Sequence, residues 1–245
     1  MNLTQTSNPA VAVATRQAGS FNFGGTEAAA TISGSTTKSL VYILITLVVG
    51  YFSMAYALNG YISNGALIGS CLVAFIVALV TIFKPQFAPV TGPIYAVTEG
   101  VALGMLSGIF EYQYPGIVVT AVMSTFVVVM VMLVLWKFKL IVPTQRFRSI
   151  VVGATAAICV LYLLNFIFML FGSALLPSSG PLSIAISLVV CLIAALNLVL
   201  DFEAIQSAVD QGLPKYFEAF NAFSLLVTIC WLYIEILKLL AKRED

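Results

Sequence analysis

Residues 117–138 read IVVTAVMSTFVVVMVMLVLWKF, an apolar run with no charge before Lys137. A helix crossing a bilayer needs about 20 predominantly apolar residues. A barrel strand would show about ten, alternating between apolar and polar. This run is too long and too uniform for a barrel strand. A helix apolar on every face belongs in lipid or in a large core.

Composition extends that reading to the rest of the chain. Of 245 residues, 61% are hydrophobic and 9% charged, with a mean hydropathy of +1.06. A soluble domain carries about 25% charged residues, so these charges cannot coat a water-facing globule. The net charge of +1 supplies no basic footprint for nucleic acid. The absence of histidine excludes Ser-His-Asp and Cys-His catalysis and His-containing zinc sites. Cys71, Cys159, Cys191 and Cys230 lie far apart inside apolar runs, without the paired spacing of a zinc or redox motif, and read as small packing residues.

Six further runs of similar length flank the first, at 39–58, 66–83, 94–112, 150–172, 182–204 and 217–240. Turn-forming stretches separate them: NGYISNG, KPQFAPVTGP, YPG, KLIVPTQRFRS, LLPSSGP and DQGLP. The expected fold is an all-α polytopic membrane protein of seven transmembrane helices over residues 38–245. Residues 1–37, rich in Ser, Thr, Ala, Gly and Asn, have too little apolar surface to fold and read as a disordered tail.

Short loops rich in Lys and Arg face the cytoplasm. Placing the N-terminus inside puts Arg16, Lys38, Lys84, Lys137, Lys139, Arg146, Arg148 and Lys215 inside. Only Lys242 and Arg243 then fall outside. A re-entrant hairpin in place of the last span would bring them inside too.

Ionisable side chains at membrane depth cost about 2.5–3.5 kcal/mol each on insertion scales and call for an account. In the third span, Gly100, Gly104 and Gly108 share one face and allow close backbone packing. Glu99 beside them needs a partner or a wet cavity. In the sixth, Asn197 and Asp201 share a face, while Glu203, Gln206 and Asp210 mark a wetter stripe near the helix end. Antiparallel packing of the last two spans sets Asp201 opposite about Phe223, with Glu218 a turn or two away at about 1.5 Å per residue and Asn221 three residues on from Glu218. Glu235 has Lys238 at i+3 as an ion-pair partner. Tyr162 and Asn165 offer cross-helix hydrogen bonds, and Trp136 reads as an interfacial anchor.

These residues resemble the Bax inhibitor family, in its bacterial branch. The stretch FAPVTGPIYAVTEGVALGMLSGIFE carries Pro93, Tyr95, Ala96, Glu99 and Gly100 in the order of the family's third span. DFEAIQ at 201–206 is similar to the acidic end of its sixth, and GLPKYFEAFNAFSLLVTICWLYIEILKLLA to its closing segment. SNPAV at 7–11 resembles its N-terminal signature. The resemblance implies helices wrapped around a central one, in a multi-pass protein of the bacterial inner membrane.

It also implies, for some relatives, a pH-sensitive calcium leak gated by two aspartates that share a proton. Asp201 matches the first aspartate. At the second, this chain departs, with Leu225 near the expected place and Glu218 and Glu235 as the nearest acids; LYIEIL at 232–237 looks like the family's aspartate-bearing stretch, farther along. Two carboxylates in a low-dielectric site cannot both ionise easily, so a pair can switch between a proton-sharing and a doubly charged state. Carboxylate and carbonyl oxygens suit calcium, here cargo and not a cofactor. The candidate path or gate is Asp201 and Asn197 with Glu218, Glu235 and Glu99. The alternative is a non-conducting protein that modulates membrane proteases or other membrane complexes. Catalysis is the least favoured reading, since no catalytic motif is present.

Overall fold

A computed structural model describes residues 29–61, 64–177 and 179–244. Among them, seven helices are long and apolar enough to cross a membrane. They are α1 (Ile32–Leu58), α2 (Asn64–Phe83), α3 (Ala88–Gln113), α4 (Ile117–Lys137), α5 (Gln145–Leu170), α6 (Pro181–Asp210) and α7 (Tyr216–Glu244). A short 3₁₀ turn, Pro85–Phe87, joins α2 to α3. Each expected span is present, and most helices extend past it by a polar turn. A 3.6-residue repeat does not stop where hydropathy falls; it stops where a cap or breaker intervenes. Thus α5 starts at Gln145 because the Thr144 side chain accepts the Phe147 N–H.

The expected seventh span is present, since α7 runs unbroken from Tyr216 to Glu244, and the alternative of a re-entrant hairpin at 217–240 falls. One expectation changes. The tail does not reach residue 37. Thr31 caps α1, its side chain accepting the Gly34 N–H, and the Ala30 N–H donates to the Leu213 carbonyl at 2.8 Å. The rest of the expected tail, residues 1–28, lies outside the described residues.

The chain forms two compact units, one holding residues up to Gln113 with Asp201–Val227, the other Tyr114–Leu200 with Thr228–Asp245. In the first unit, α1 and α3 run parallel in close contact. Tyr42, Thr46, Gly50, Ser53 and Ala57 of α1 meet Gly92, Ala96, Gly100, Gly104 and Gly108 of α3. A Cβ at Gly104 would run into the Gly50 carbonyl and Ser53, and one at Gly108 into Ala57. Such backbone approach lets hydroxyls bond across: Thr46 Oγ1 donates to Ala96 O at 3.0 Å and Ser53 Oγ to Val101 O at 2.9 Å. Van der Waals packing of this kind is what holds helices together where lipid is as apolar as leucine. Thr81 Oγ1 donates to Thr91 Oγ1 at 2.7 Å and ties the end of α2 to the start of α3.

The α6–α7 turn closes this unit's base. Gly212 adopts the left-handed conformation, φ 61. Its N–H donates to Val209 O and that of Leu213 to Ala208 O, a Schellman closure that a Cβ would strain. Leu213, Phe217 and Phe220 then pack with Ala30, Ala88 and Ala208 into a buried cluster.

In the second unit, α4 buries Ile117, Val118, Ala121, Thr125 and Met132, whereas α5 buries only Val151. The lipid-side character of α5 is plain: Val160, Leu163, Phe166, Met169 and Leu170 are all exposed. In water such a surface would aggregate; against acyl chains it costs nothing. The last span is the opposite case. Phe217, Phe220 and Leu226 in the first unit, and Leu232, Glu235 and Leu237 in the second, rank among the largest fully buried side chains.

Candidate functional site

The polar residues at membrane depth fall into four groups, each built around α6 or α7. The first holds Asp201, 4% exposed. Ser224 of α7 donates its hydroxyl to Asp201 Oδ1 at 2.8 Å. The expected register placed Phe223 there, one residue short. Asn221, a turn earlier on α7, is 2% exposed, and its Nδ2 has no hydrogen-bond acceptor among the described residues. A buried amide of that kind is a fitting place for an internal water. Tyr95 of α3 packs edge-on against Phe223, ring centroids 5.0 Å apart. Glu99, half-buried, lies one turn further along the same helix.

The second group is built on Glu218, 2% exposed. Its Oε1 accepts from the Thr31 N–H at 3.0 Å and from the Thr31 hydroxyl at 2.8 Å, and Lys38 forms an ion pair with Oε2. Gly34 is what lets the carboxylate in, since a Cβ there would occupy the same space. A carboxylate beside the first turn of α1 also meets the positive end of that helix. Sequence reasoning placed Glu218 near Asp201. The fold instead spends it as a cap for α1, a role that follows from where α1 begins.

The third group centres on Glu235, 1% exposed. Tyr162 of α5 donates to its Oε2 at 2.9 Å, and Lys238 pairs with Oε1 at 3.3 Å. The Lys238 ammonium also lies 5.2 Å from the centre of the Tyr162 ring, within cation–π range. One turn on, Lys242 donates to Ser187 Oγ at 2.8 Å. The i+3 pair expected from sequence is present, and Tyr162 supplies a cross-helix bond. Asn165 behaves otherwise. Its Oδ1 accepts the N–H groups of Leu175 and Leu176 at 3.0 and 2.9 Å, capping the loop that follows its own helix.

Asn197 forms the fourth group. Its Nδ2 donates to Thr155 Oγ1 and to Ile193 O, both at 2.8 Å, so its amide protons serve α5 and its own helix. On the wetter stripe, Gln206 Nε2 donates to Asp210 Oδ1 at 2.8 Å. The two acids proposed to face Asp201 from the last span, Glu218 and Glu235, are thus each held by a lysine and by hydroxyl donors. The missed residue is Ser224. Its signal was the spacing Asn221, Ser224, Thr228, a polar line at helical period through an apolar run. Among the described residues, no three Cys, Asp or Glu side chains come together as a metal-ligand set.

Seven long apolar helices, lipid-facing surfaces and polar groups turned inward define an all-helical, multi-pass integral membrane protein. The family model described as Bax inhibitor 1 like matches residues 5–245. The chain belongs to that family. Searches of curated proteins and of solved structures returned no significant match.

Proposed function

We propose that the protein is a pH-sensitive cation leak path, with calcium as the favoured cargo, in which Asp201 is the titratable group. The observation that carries this reading is a carboxylate only 4% exposed in a membrane helix, bonded to a neutral hydroxyl, Ser224 Oγ, at 2.8 Å. Buried ionisable groups in membrane helices mark ion pathways and proton relays. In its charged form the carboxylate attracts a hard cation, and in its protonated form it does not. Asn221 would share the site by holding water. We place the protein in the bacterial inner membrane with a cytoplasmic N-terminus, on the strength of the basic second, fourth and sixth loops.

Calcium flux into vesicles holding the purified protein tests this. Wild type should conduct more as pH rises and Asp201 loses its proton; Asp201→Asn should abolish that dependence and lower the flux at high pH. An unchanged pH profile in the variant would sink the assignment.

A second reading, a non-conducting protein that modulates membrane proteases or other complexes, draws support from the lysine pairing of Glu218 and Glu235. That pairing fits structural roles for both acids. Vesicles that carry no flux at any pH would favour it.

A further inference from the structure

An open cleft of about 370 Å³ lies between the start of α1 and the α6–α7 turn. It is independent of Asp201, and its walls include Gly34, Thr37, Lys38, Lys215 and Glu218. Lys38 and Glu218 neutralise one another. Lys215 is exposed and leaves the cleft with one surplus positive charge. An ammonium has three donors, so Lys38 keeps capacity beyond its pair, and Thr37 adds a hydroxyl.

The surface leading away from the cleft is of the opposite kind. Val41, Leu44 and Val48 follow Thr37 at i+4, i+7 and i+11, which is one face of α1. All three are exposed. A polar, net-positive cleft therefore opens onto an apolar lane along a membrane helix. A soluble phosphate would use only the first part; a molecule with a charged phosphate head and an acyl chain uses both.

We propose that this cleft binds a phospholipid with an anionic headgroup. Its phosphate takes hydrogen bonds from Lys215, Lys38 and Thr37, and an acyl chain lies along Val41, Leu44 and Val48. The bound lipid sits beside the contacts that fix the start of α1 to α7, so it also reinforces them.

Native mass spectrometry of the full-length protein, offered equal phosphatidylglycerol and phosphatidylcholine, tests the site. Wild type and Lys215→Arg should retain phosphatidylglycerol about fivefold to tenfold over phosphatidylcholine, the scale of one basic residue at an anionic surface. Lys215→Glu should lose that preference, and Lys139→Glu, in an exposed loop elsewhere, should keep it. Inorganic phosphate at the same concentration should not displace the lipid. Equal retention of the two lipids by wild type, preference surviving in Lys215→Glu or failing in Lys139→Glu, or displacement by inorganic phosphate would each overturn the proposal.

Discussion

Glu218 and Glu235 are the two ends of one comparison. Both lie on α7, both are almost fully buried, and both are held by a lysine and a hydroxyl. Their partners differ in origin. Lys238 is three residues from Glu235 on the same helix, whereas Lys38 and Thr31 reach Glu218 from the start of α1. The first pair exists wherever α7 is helical; the second exists only when α1 has docked. The charge of one glutamate is therefore neutralised within its own helix, with Tyr162 of α5 adding a neutral bond, and the charge of the other is neutralised by a distant chain segment.

The largest effect should come from breaking the distant contact. Glu218→Ala removes the acceptor of the Thr31 N–H, the Thr31 hydroxyl and Lys38 together. Breaking a buried pair from one side costs about 3–5 kcal/mol; the one-third exposure of the Lys38 side chain lowers this to about 2–3 kcal/mol. Thermal unfolding in detergent measures the loss, and limited proteolysis should show new cleavage near residues 29–31. Wild-type resistance in that segment would contradict the fastening role.

Glu235→Ala should cost less, about 1–2 kcal/mol, because Lys238 is 39% exposed and can turn toward water, while the Tyr162 hydroxyl loses one bond. No new cleavage site should appear near residues 29–31. A loss equal to that of Glu218→Ala would erase the distinction between local and distant pairing. No larger than the Glu235→Ala loss, Tyr162→Phe should cost about 1.5 kcal/mol, the low end for one hydrogen bond to a charged group, with the ion pair left in place. A double-mutant cycle with Lys238→Met would then show whether the ring also steadies the ammonium.

The same contrast explains what could be read from the chain. The Glu235–Lys238 pair, the glycine line at 100, 104 and 108, and the turn at Gly212 are local patterns with fixed helical spacing, and all are legible in sequence. The start of α1 was not, because ISGSTT at 32–37 is polar and weakly helical; Thr31 and the incoming Glu218 hold it in place. Asp201 could be singled out from its position after LVL. Its hydroxyl partner could not, since helix register across a turn was estimated only to within a residue, and one residue exchanges Phe223 for Ser224.

By itself the sequence determined seven crossings, an all-helical membrane fold and the residues that are costly at that depth. Transfer from water to lipid sums along a segment and needs no knowledge of neighbours. Only the tertiary structure decided which of those residues meet. Glu218 went to α1, Glu235 to α5, Asn197 to Thr155 and Asp201 to Ser224. Hydrogen bonds form over about 3 Å, so helix packing, and not helix composition, selects the partner.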